Sequence, residues 1–200
     1  MNYKSIFNLL GILLVIFSLS FIPPLALSVF YDEPLSGIFL YSFLFLITLG
    51  CLLWFTSRQK SLLLNISDGF IITTMFWVVL AFAGSIPFYF FGLNANDAIF
   101  ESVSGITTTG ATVIVGLDEL PKSLLLYRQL LQWIGGMGLI ILAVAVMPTL
   151  GIGGGQLYKM ELPGSHGNQR LTPKITDSAK ALWKIYFGLT ILCALLYLLS

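Results

Sequence analysis

Five long blocks of apolar residues, separated by more polar segments, leave this chain little choice but a bundle of membrane-crossing helices. They run Ile6–Phe30, Leu35–Phe55, Phe70–Phe91, Leu124–Leu150 and Ala181–Leu199. An α-helix needs about 20 mostly apolar residues to cross a hydrocarbon core, and each block meets or approaches that length. A soluble globule is excluded by its surface. Of the 200 residues 10% are charged and 57% hydrophobic, whereas soluble domains carry about 25% charged residues. The expected fold class is all-α and integral to the membrane.

Lys4 ahead of the first block gives it the look of a secretion signal. The block is too long for one, and Pro23-Pro24 stand where a small-residue cleavage site would be wanted, so a retained span is expected. The net charge of +1 offers no footing for nucleic acid. Cys51 and Cys193 lie far apart inside apolar blocks, form no metal-ligand spacing, and read as small core residues. His166 has no partner at ligand spacing. Gly151–Gly155 lacks both nucleotide-loop patterns and reads as a helix stop with a linker. Asn65-Ile66-Ser67 is a glycosylation sequon, but on the side where it has no meaning.

Charge sets the orientation. With the N-terminus in the cytoplasm and all five blocks crossing, the inner side gathers Lys4, Arg58, Lys60, Lys159, Arg170, Lys174, Lys180 and Lys184. The outer loops hold Asp32, Glu33, Asp97, Asp118 and Glu119, with Lys122 as their basic residue. This obeys the positive-inside rule. The segment 94–123, between the third and fourth blocks, then leaves and re-enters the same face. From Asp97 to Thr107 there is room for a helix of about 11 residues, roughly 16 Å long, half of a bilayer core. Asn96 and Asp97 are the expected N-cap residues. The stretch after it, Thr107-Thr108-Thr109-Gly110-Ala111-Thr112, favours extended backbone, with Gly110 free to take conformations closed to other residues.

Irregular backbone at membrane depth is tolerated where it is buried in protein or lines a watery cavity. There its carbonyl oxygens can replace the water shell of a cation. The partly negative C-terminal end of the short helix favours the same charge. Helix, Thr-Thr-Gly and return loop therefore read as one cation-selective element.

Three motifs carry a family resemblance. Ser104-Gly105-Ile106-Thr107-Thr108-Thr109-Gly110-Ala111-Thr112 resembles the first filter signature of the Trk/Ktr/HKT potassium transporter superfamily. The stretch from Tyr127-Arg128-Gln129 through Gln132-Trp133-Ile134-Gly135-Gly136-Met137-Gly138 is similar to the helix that follows that filter. Gly151–Tyr158 resembles the next loop. The two leader spans resemble the TrkH/TrkG branch, because the KtrB branch lacks them. The resemblance implies two leader helices over 1–66, a first helix–pore-loop–helix repeat over 67–152, a cytoplasmic loop over 153–180, and the first helix of a second repeat over 181–200. It implies potassium uptake across the bacterial inner membrane, with potassium as cargo, no cofactor and no enzyme activity. It also implies a homodimeric pore subunit working with a cytosolic nucleotide-binding regulatory subunit of the TrkA type. By position, potassium would meet the backbone carbonyls of Thr108, Thr109 and Gly110, supported by Thr107 and Ala111.

One complete repeat, Phe70–Leu150, is present, and one loop cannot surround an ion. The chain is therefore expected to be a piece of a longer protein or to work as an assembly. Other readings stand beside these. Glu101 could pair with Arg128 or attract ions. Gly135–Gly138 fits close helix packing better than a hinge. Gly110 is expected at positive φ or in close approach to a neighbour, and Gly116, in the outer return loop, is the control, where serine is expected to be much milder. A rival function is a sodium- or proton-coupled secondary transporter with a re-entrant loop. An enzyme site of Glu101, Arg128 and His166 is opposed by topology, which puts His166 on the other face.

Overall fold

The computed structural model describes residues 3–58, 66–146 and 172–199, and no strand occurs among them. The chain divides into two compact units, Met1–Gly135 and Gly136–Ser200.

In the first unit, α1 (Tyr3–Ser18) passes through a 3-10 turn (Leu19–Phe21) into α2 (Ile22–Phe30). Prolines 23 and 24 explain the break. Each lacks an N–H, which suits the first turn of a helix and interrupts a continuous ladder. The apolar path Tyr3–Phe30 is still 28 residues long, enough to cross. Helix α3 (Ser36–Thr56) returns against α1. The two meet at glycines: a Cβ on Gly11 would lie 2.8 Å from the Gly50 carbonyl oxygen, and one on Gly50 2.9 Å from that of Gly11. Lipid supplies no hydrophobic drive between helices, so such close backbone approach does much of the joining. Asn8 Nδ2 also donates to the Trp54 carbonyl at 3.2 Å.

Helix α4 (Ile66–Phe91) packs on α1 and α3 and carries Pro87 inside it. After it come the short α5 (Ala95–Ile106) and then α6 (Lys122–Val146). Tyr127, fully buried, ties α6 to the rest. Its ring lies 5.3 Å from Phe21, 5.7 Å from Phe39 and 5.4 Å from Phe88, and its hydroxyl donates to the Gly84 carbonyl at 2.8 Å.

The second unit holds α7 (Thr172–Leu199). It begins nine residues ahead of the apolar block, with Pro173 in its first turn, so the end of the polar connection, 172–180, is helical. Within this chain Cys193 on α7 is exposed and Cys51 half-buried. An apolar helix in lipid has no need to bury every face in protein. Tyr3–Phe30, Ser36–Thr56, Ile71–Phe91 and Lys180–Leu199 are each long and apolar enough to cross a membrane. The fourth block, which starts at Leu124, is helical as far as Val146, within α6. This is a multi-pass membrane protein. The loop Gly151–Tyr158, His166 and Asn65 lie outside the described residues.

Candidate functional site

Helix α5 starts two residues before its expected first residue, and its N-cap is Asn94 rather than Asn96 or Asp97. Asn94 has extended backbone, its Oδ1 accepts from Asp97 N at 2.9 Å, and its Nδ2 donates to Asp97 Oδ2 at 2.7 Å. Asp97, at the third helical position, also complements the helix dipole. The 12 residues of α5 rise about 18 Å, well short of a ~30 Å core.

At the other end the chain folds back over its last turn. Thr107 N donates to Val103 O at 2.9 Å, Thr108 N to Gly105 O at 2.9 Å, and Thr109 N to Ser104 O at 3.0 Å. Thr107 Oγ1 reaches Val103 O at 2.7 Å and lies 2.8 Å from Thr109 Oγ1. Gly110 has φ 75°, the positive value expected of it, but a Cβ there would meet nothing within 4 Å in this chain. Thr108, with φ 58°, shares the left-handed region, where a residue with a Cβ is strained by roughly 1–2 kcal/mol. Gly116 has φ 74° as well, so a side chain is strained at both positions. It opens the 3-10 turn Leu117–Glu119 and accepts from Glu119 N at 3.0 Å.

The carbonyls of this loop fall into two groups. Thr107, Thr108, Thr109 and Gly110 are exposed, and among the described residues no donor reaches their carbonyl oxygens. The Ala111 carbonyl faces protein: it accepts from Ser104 Oγ at 2.6 Å and Arg128 Nη2 at 3.4 Å. Beyond it the chain is fastened to Glu101. Oε1 of that carboxylate accepts from Thr112 Oγ1 at 2.5 Å and Val113 N at 2.8 Å, while Oε2 accepts from Arg128 Nε at 2.8 Å. Glu101 is 1% exposed and Arg128 5%. Of the two readings for Glu101, the geometry shows the pair, with both oxygens engaged. A Cβ on Gly135 would overlap the Ile106 carbonyl at the end of α5, and one on Gly105 would sit 3.0 Å from Leu131 Cβ. Gly135 is thus a packing glycine.

Sequence reasoning missed Ser104 as a fastener, although it stands inside the filter motif. It also missed Glu33, whose carboxylate caps α6 at Lys122 and Ser123. A contact across 89 residues leaves no local pattern to read.

Residues 36–200 match the family model TrkH, described as a cation transport protein. The chain is 48% identical over 203 residues to the Trk system potassium uptake protein TrkH of Vibrio parahaemolyticus, covering 100% of this chain and 42% of that protein. It is 41% identical over 202 residues to the Trk system potassium uptake protein TrkG of Escherichia coli, covering 100% and 42%. The crystal structure of the potassium transporter TrkH from Vibrio parahaemolyticus superposes with a TM-score of 0.84 at 44% identity, over 100% of this chain and 40% of that one. The chain thus spans about two fifths of the length of the relatives it matches.

Proposed function

The chain belongs to the TrkH family of cation transport proteins, and from that premise we propose that it supplies two leader helices and one pore-loop repeat of a bacterial potassium-uptake subunit. The observation that carries the reading is the row of unengaged carbonyls at Thr108, Thr109 and Gly110, placed between the end of α5 and a segment bound to Glu101 and Arg128. A potassium ion entering from outside would exchange waters for these oxygens. The C-terminal end of α5 adds partial negative charge. The charge on Glu101 is matched by Arg128, so no free carboxylate holds the ion too tightly to release it. Further loops of the same kind would complete the coordination shell. Thr107 would support the filter through its hydroxyl, and Ala111 through its fastened carbonyl.

The whole subunit would sit in the inner membrane with its N-terminus in the cytoplasm, as a homodimer. Its inner loop, 151–180, would dock a nucleotide-binding regulatory ring. Cysteines introduced at Asp118 and Gln169, in a background lacking Cys51 and Cys193, should label from outside and inside respectively. Outside labelling at 169 would overturn the orientation.

The test of the filter is rubidium uptake in competition with sodium by the full-length subunit. Gly110→Ser should weaken discrimination while protein levels stay matched to the parent. Unchanged discrimination would mean that this loop is not the filter.

A further inference from the structure

We propose that Glu33 is a positioning residue for the filter, through which the leader hairpin sets the height of α6; this rests on the filter reading above. Glu33 lies in the turn joining α2 to α3, which is tied to the end of α2 by hydrogen bonds. Asp32 takes φ 53°, Glu33 N donates to Ser28 O at 2.9 Å, and Ser28 Oγ donates to Glu33 O at 3.2 Å. The carboxylate points at the start of α6. Lys122 N donates to Oε1 at 2.8 Å, Ser123 N to Oε2 at 3.1 Å, and the fully buried Ser123 hydroxyl to Oε2. The Lys122 ammonium lies 4.1 Å from the centre of the Tyr31 ring, on the same turn.

The first N–H groups of a helix lack partners within it, and an anion there satisfies both them and the dipole. Most helices find that group in the residue just before them. Here that residue is Pro121, and the acceptor comes from a separate hairpin instead. The axial position of α6 is therefore referenced to the leader turn. Arg128 stands six residues further on, about 9 Å along the same helix. It holds Glu101 and the Ala111 carbonyl, and Glu101 holds Thr112 and Val113. A shift at Lys122 is thereby passed to the residues that follow Gly110. Tyr127 and its three phenylalanines hold α6 sideways whether or not Glu33 is present. Removing the carboxylate should therefore free axial movement more than it unfolds the bundle.

The experiment compares Glu33→Ala, Glu33→Gln and Asp118→Ala in the full-length subunit at matched membrane levels. It reads half-saturating potassium and sodium competition. Glu33→Ala should raise half-saturation and lower discrimination by roughly three- to tenfold. Glu33→Gln should recover part of this, since its amide oxygen still accepts one bond. Asp118→Ala removes an outer charge with no such contact and should behave as the parent. Parent-like uptake by Glu33→Ala overturns the proposal, as does an equal loss in Asp118→Ala, which would implicate outer charge alone. If Glu33→Ala does not reach the membrane, Ser123→Ala should give a smaller shift in the same direction, and no shift overturns the proposal. Gly110→Ser, run alongside, separates the two claims. If it too keeps parent discrimination, the filter reading has failed. If it alone loses discrimination, only the clamp has.

Discussion

The two halves of the loop after α5 are made of similar residues and are treated in opposite ways. Among the described residues no protein donor reaches the carbonyls of Thr107–Gly110, while Ala111–Val113 is bound by a buried serine, a buried carboxylate and a buried arginine. Polar backbone at membrane depth is costly unless satisfied. The unengaged half follows directly on α5 and precedes a half that protein contacts hold in place. The left-handed φ of Thr108 fits the same picture, since strained backbone survives where its surroundings leave no alternative.

The comparison breaks most readily at the ion pair. Arg128→Ala would leave the Glu101 charge buried and unpaired, a loss of about 3–5 kcal/mol. Thermal unfolding of the full-length subunit in detergent should show it as the largest drop of the series. Pairing Glu101→Gln with Arg128→Met should restore much of the loss, and strict additivity of the two changes would contradict the coupling. Gly135→Ala comes next. Its Cβ meets the Ile106 carbonyl, an overpacking that costs typically 1–3 kcal/mol and should move the end of α5, so stability and uptake should fall together.

Gly110→Ser and Gly116→Ser sharpen the comparison. Both glycines have positive φ, so each serine should cost roughly 1–2 kcal/mol of stability. Only Gly110→Ser should change potassium-to-sodium discrimination; an equal change in both would point to general loosening. The smallest effect expected is for Thr112→Val, which removes the hydroxyl held by Glu101 at 2.5 Å. A loss of about 1 kcal/mol with discrimination only slightly reduced is expected in unfolding and uptake assays.

The helices were legible because apolar block length alone nearly determines a span, and each of the five blocks is helical over most of its described residues. The short helix was legible as well, from its length and the Thr-Gly run behind it. Its start was misread because two asparagines compete. Asn94 wins since Asp97 stands three residues on and can answer it, whereas three residues beyond Asn96 stands Ile99. The positive φ of Gly116 was not legible, because a glycine in a return loop looks the same in sequence whether its φ is positive or negative. The Glu101–Arg128 pair could be suspected from two charges at similar depth. Its hold on Thr112 and Val113 depends on a backbone path that no periodicity encodes, and the Glu33 cap joins segments whose proximity arises only once the leader helices have packed.

The central claim concerns the carbonyls of Thr108, Thr109 and Gly110. The most direct measurement is anomalous scattering from rubidium in crystals of the full-length subunit. The account predicts an ion within coordinating distance of those oxygens, with the Ala111 carbonyl still bonded to Ser104 and Arg128. An ion bound elsewhere in the pore, with those three carbonyls hydrogen-bonded to protein, would contradict it.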